Sequence, residues 1–208
     1  MPARLLGTGL VAALVAAGCR GDAPPTRSSP APPNPAAVVE GEPYRPRVDP
    51  ADFVSVIDNP YFPLSPGTTL VYRGVSDGER EVVKVTVTDK TKQIMGIRAT
   101  VVRDRVFVDG KLAEDTFDWY AQDKDGNVWY LGEDTKEFED GKVVSTKGSW
   151  EAGVDGAQPG VIMPGHPEIG VTYRQEFYEG EAEDVAKVVA LDDTVDVPAG
   201  SFDGVLVT

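Results

Sequence analysis

Two carboxylic acids, Asp118 and Glu133, stand at mirrored distances from the dipeptide Asp125-Gly126. Asp-Gly suits a tight hairpin because both residues reach positive φ readily. A hairpin folded there sets Lys124 opposite Asn127, Gln122 opposite Trp129, Tyr120 opposite Leu131 and Asp118 opposite Glu133. Like charges facing each other across a strand pair repel, so a buried pair must share a proton or a divalent cation. Asp118 and Glu133 are therefore the candidate metal pair, and a solvated strand end is the competing account. Asp123-x-Asp125-Gly126-Asn127 also touches the opening of a calcium loop. Such a loop needs Gly sixth and Glu twelfth, where this chain has Val128 and Asp134. A hairpin turn explains the residues better.

The sole histidine, His166, lies in Pro164-Gly165-His166-Pro167, and a general base or metal ligand needs an orienting partner. An exposed loop histidine is the simpler expectation. The chain carries no His-Glu-x-x-His or phosphate loop, and no cofactor is implied. Hydrolysis of a polysaccharide by paired carboxylates stays open on composition alone.

A second candidate is the Gly- and Pro-rich segment 147–170 with Trp150, Ile162 and Met163. Segments that long and irregular are commonly binding loops or lids. Folded across a curved sheet, it would join Trp150 and Met163 to Tyr61, Phe62, Trp119, Trp129 and Tyr130 in an apolar pocket for a small molecule or lipid. Alternatively, the same side chains plug the core.

The elements that must position these residues are strands. Asp-Gly recurs at 77–78, 109–110, 125–126, 140–141, 155–156 and 203–204, mostly between runs of alternating apolar and polar residues. Val83, Val85 and Val87 share one face, and Lys84, Thr86 and Thr88 the other. Further strands are expected over 142–146, 171–178, 184–191 and 194–207, with one helical turn near 49–57 capped at Asp49-Pro50. The pattern predicts an all-β fold, a curved antiparallel meander sheet with a long covering loop. The chain stops within a strand pattern at Val205-Leu206-Val207-Thr208, and the expectation is that a further strand belongs to the domain.

Composition restricts partners. Against 34 acidic residues stand 20 basic ones, a net charge of -14, which repels nucleic acid and anionic headgroups. About 160 residues remain after the leader and linker described next, enough for one domain with its own core, expected to be a monomer.

Cys19 is the only cysteine. It follows Arg4 and an apolar run from Leu5 to Ala17, the form of a secretory leader rather than a membrane span. Val15-Ala16-Ala17-Gly18-Cys19 resembles a bacterial lipobox, with Ala16 where Leu is usual. The resemblance implies cleavage after residue 18, acylation of Cys19, and an extracytoplasmic protein anchored to the cell membrane as a lipoprotein. An ordinary cleaved leader with an incidental cysteine is the alternative. Residues 19–48, with Pro30, Pro32, Pro33 and Pro35, bury too little to offset ordering entropy and are expected to form a disordered tether. The folded body is then 49–208.

Asn59-Pro60-Tyr61-Phe62-Pro63-Leu64-Ser65-Pro66-Gly67 and Val195-Asp196-Val197-Pro198-Ala199-Gly200-Ser201-Phe202 resemble the YFPL-x-x-G opening and V-x-VPAG-x-F hairpin of uncharacterised actinobacterial lipoproteins. Asp118-Trp119-Tyr120, Gly148-Ser149-Trp150 and Met163-Pro164-Gly165 resemble their central block. The resemblance implies an incomplete barrel similar to the LolA lipoprotein carriers, and no assigned activity. The expected function is a non-catalytic envelope binding or accessory protein holding an apolar ligand in the concave face. The alternatives are the carboxylate hydrolase and a structural interaction domain. Acyl labelling of the cell-produced protein is expected to be present and to vanish in Cys19→Ser; equal labelling of both would contradict the anchor.

Overall fold

The computed structural model describes residues 32–208; Cys19, the leader and the first part of the Pro-rich segment lie outside the described residues. Alternating β-branched and polar residues suit half-buried strands, and six of them run in sequence: β1 (Thr69–Ser76), β2 (Glu79–Ile94), β3 (Ile97–Val108), β4 (Lys111–Gln122), β5 (Val128–Glu139) and β6 (Lys142–Ser145). Each pairs antiparallel with the next, and the all-β sheet curls strongly into a half-barrel. Asp77-Gly78, Asp109-Gly110 and Asp140-Gly141 are two-residue turns with positive φ throughout, the backbone that matches strand twist. Met95-Gly96 turns the same way at φ 50° and 80° without an Asp. Asp125-Gly126 closes a longer loop in which Asp123 N donates to Asn127 O at 3.0 Å. Asp203-Gly204 is no turn, since it lies within a strand beside irregular register.

The long segment after β6 is held by two short strands, β7 (Trp150–Glu151) and β8 (Gly160–Met163). Both pair with the outer edge of β5, satisfying backbone groups that an edge would leave open. Two hairpins follow: β9 (Thr172–Arg174) with β10 (Val185–Lys187), and β11 (Ala190–Val197) with β12 (Gly200–Val207). Leu191 and Leu206 of the second hairpin pack against the core. The helical turn near residue 50 is a 3-10 turn, Pro50–Asp52, capped by Asp49 accepting from Ala51 N at 2.9 Å.

The tether boundary is corrected. From Asn34 the chain packs on the body: Ala36 is fully buried, Val38 N donates to Thr172 O at 2.9 Å and Arg174 N to Ala36 O at 3.0 Å. The Tyr44 hydroxyl donates to Pro159 O at 2.7 Å, and its ring meets Phe177 edge-on. Composition averaged over 19–48 hides these small and aromatic residues among prolines.

Register sorts the side chains. Val87, Val102, Asp118 and Glu133 form one row of paired positions, with Val85, Asp104, Thr116 and Thr135 in the next. These lie on one face, called inner here. Lys84, Arg105 and Asp115 form a row on the reverse face.

A bulge in β5 makes the arrangement possible. Gly132 has φ 130°, and a Cβ there would strike the Trp150 carbonyl oxygen and come within 2.9 Å of Glu151 Cα. Only glycine allows β7 to dock at that point. Gly132→Ala is expected to cost roughly 2 kcal/mol or more, seen as a lower denaturant midpoint; an unchanged midpoint would contradict this account.

Candidate functional site

The opposition of Asp118 and Glu133 holds, though by another route than a regular hairpin. Next to the turn the pairs are Gln122 with Val128, Ala121 with Trp129 and Tyr120 with Tyr130, one residue from the expected register. The extra residue at the Leu131-Gly132 bulge restores Asp118 opposite Glu133. It also turns Tyr130 onto the inner face, stacked on Tyr120 with ring centroids 4.8 Å apart. Phe62 meets Tyr120 edge-on at 5.5 Å, and Trp150 meets Tyr130 edge-on at 5.4 Å.

Within this aromatic frame the Tyr130 hydroxyl lies 2.7 Å from Asp118 Oδ1 and 2.7 Å from Glu133 Oε2. A phenol has one proton to donate. Satisfying both contacts requires a second proton, carried by one of the carboxyls and donated to the phenol oxygen. Burial raises both acids, Asp118 to about 7 and Glu133 to about 8; each also raises or is raised by neighbouring negative charge, while the Tyr130 hydrogen bond opposes the shift. The charged groups reaching Asp118 are Asp104, Glu114 and Glu176, all acidic. Glu176, reached by the Trp150 indole N–H at 3.1 Å, is raised to about 7 chiefly by burial. Asp104, raised to about 6, has a buried Oδ1 without a hydrogen-bond partner. On the same face Thr116 donates to Glu114 at 2.9 Å and sits 2.6 Å from the Thr135 hydroxyl.

Among the described residues no group of three or more His, Cys, Asp or Glu is arranged to hold a metal ion. Asp118 is 8 % exposed, and Glu133 lines a cleft of about 410 Å³. Asp123 is spent on the turn, accepting from the backbone N of Asp125 and Asn127 and from the Asn127 and Trp129 side chains at 2.7–3.0 Å. His166 is exposed.

The expected pocket residues divide. Phe62, Tyr130 and Trp150 gather on the inner face, and Met163 pairs with Val128 at its end. Tyr61 is half-buried, its backbone N donating to the Asn59 side chain. Trp129 lies on the reverse face against Phe53, lining a cleft of about 260 Å³ with Asp52 and Lys124. Trp119 lines another cleft, about 410 Å³, with Glu133, Trp150 and Glu151; Lys92 lies 3.2 Å above its ring and pairs with Glu151 at 2.7 Å. Sequence reasoning missed Tyr120, Asp104 and Glu176 as members of the site. Carrying the period of two from β4 into β3 would have found Asp104 beside Val102 and Val106. Glu176 comes from an irregular segment with no pattern to extend.

The fold and site define a curled antiparallel half-barrel with a proton-sharing carboxyl cluster on its inner face. No family model, curated protein or solved structure matches the chain.

Acids raised in the fold hold protons that the unfolded chain releases at ordinary carboxyl pKa values near 4. Between pH 4 and 8 the folded state therefore binds more protons, and stability falls as pH rises. Melting temperature is expected to be higher at pH 5 than at pH 8.5, with a smaller difference in Glu133→Gln. Tyr130→Phe is expected to cost about 1–3 kcal/mol by removing the bridging hydroxyl. A pH-independent melting temperature would contradict the shared proton.

Proposed function

We propose that this protein is a lipid-anchored extracytoplasmic binding module of the cell envelope, non-catalytic, which holds an amphiphilic ligand on the inner face of its half-barrel. The observation that carries the reading is the division of that face. On the β1–β3 side it presents Leu70, Val83, Val85 and Val106; on the β4–β5 side, Asp118, Tyr130 and Glu133. An apolar stem suits the first wall, and a hydroxyl- or amine-bearing head suits the second. Buried acids without cationic neighbours are costly to a fold, and perturbed carboxyls of this kind gather at functional sites. The lipobox resemblance at Cys19 supplies the envelope location.

Native mass spectrometry of the protein taken from a bacterial envelope in mild detergent tests the reading. A retained amphiphile is expected, lost in Val85→Asp and weakened in Glu133→Gln, with circular dichroism checking that each variant folds. A bare polypeptide mass from freshly isolated wild-type protein overturns it.

A further inference from the structure

Net charge hides a segregation of charge. Away from the turns, and apart from Lys92, which pairs with Glu151, the reverse face of β1–β5 carries Arg73, Lys84, Arg103, Arg105 and Lys136. Its carboxylates there are Asp115 and Asp134, each already paired, with Arg103 and with Lys136. Five basic groups against two acids leave three positive charges uncompensated on this face. Arg73 is exposed. Lys84 Nζ lies 5.1 Å from the Phe107 ring centroid and the Arg105 guanidinium 6.0 Å from it; Arg105 Nε is buried without a hydrogen-bond partner. Val71 and Val75, on the same face of the β1 edge strand, are 40 % and 71 % exposed. The carboxyl cluster lies on the opposite side of the sheet, and charges more than a Debye length of about 8 Å apart through solvent are largely screened at physiological salt.

We infer that this face docks on the anionic phospholipid headgroups of the membrane to which Cys19 ties the protein. The inference rests on the anchor reading for its location and on this face for its chemistry. Complementary charge draws the cations to the headgroups, and the exposed valines and cation-covered Phe107 suit the interfacial zone. The expectation from total charge, that anionic headgroups repel the protein, is replaced by a face-dependent one. Anchor and face then act as two signals, the combination that makes membrane attachment stable.

The test uses the full chain in its acylated form and as Cys19→Ser, sedimented with vesicles of phosphatidylcholine alone or mixed with phosphatidylglycerol. Unacylated protein is expected to bind the phosphatidylglycerol vesicles selectively at physiological salt, where the Debye length is about 8 Å, and to be released in about 1 M salt, where it is roughly 3 Å. Arg73→Gln with Lys84→Gln and Arg105→Gln is expected to weaken binding on the order of a hundredfold, from about 1 kcal/mol per cation. Should that variant misfold, the salt response of the unmodified face still decides. Equal binding of Cys19→Ser to both vesicle types, or binding indifferent to salt, overturns the docking face. Absent acyl label on the wild-type protein overturns the anchor instead, whatever the vesicles show.

Discussion

A single extra residue in β5 organises this molecule. Antiparallel strands keep side chains in strict alternation, so without a bulge Tyr130 and Glu133, three residues apart, would fall on opposite faces. The insertion at Leu131-Gly132 brings both to the inner face and lets one phenol bridge two acids. The same bulge removes a side chain where Trp150 and Glu151 must approach. Docking of β7, placement of Trp150 against Tyr130 and the geometry of the acid pair therefore share one cause. Few substitutions at this position are compatible with all three.

Proton sharing follows from enclosure. Asp118, Tyr120, Tyr130 and Trp150 are each less than a tenth exposed, so a full negative charge on Asp118 beside a charged Glu133 is poorly solvated. Neutralisation is cheaper than ionisation in such a setting. The chain places its cations on the other side of the sheet, where they lie over Phe107, Phe117 and Trp119. The half-barrel wall thus separates the inner carboxyl cluster from a group of cations on the reverse face of β1–β5, although the whole chain is strongly acidic.

Legibility of the sequence tracked locality. Alternation and Asp-Gly turns are properties of neighbouring residues, and they predicted the all-β curled sheet and the facing of Asp118 and Glu133. The detailed pairs near the turn were missed by one residue because the Asp123–Asn127 loop is longer than a two-residue turn. The bulge cancelled that error further along, for a reason visible only through β7. Trp119 and Trp129 were expected beside Tyr130; the face of a residue depends on parity, and aromatic character carries no parity. The arm from Asn34 to Val48 was unreadable as structure because its partners, Thr172, Arg174 and Pro159, lie more than a hundred residues away.

That arm has a mechanical consequence. Any pull arriving from the N-terminal side is borne first by the Ala36–Arg174 and Val38–Thr172 bonds and then by the Tyr44 hydroxyl on Pro159. None of these belongs to the β1–β6 ladder, so the arm can peel away as a sacrificial joint while the half-barrel and its carboxyl cluster stay unloaded.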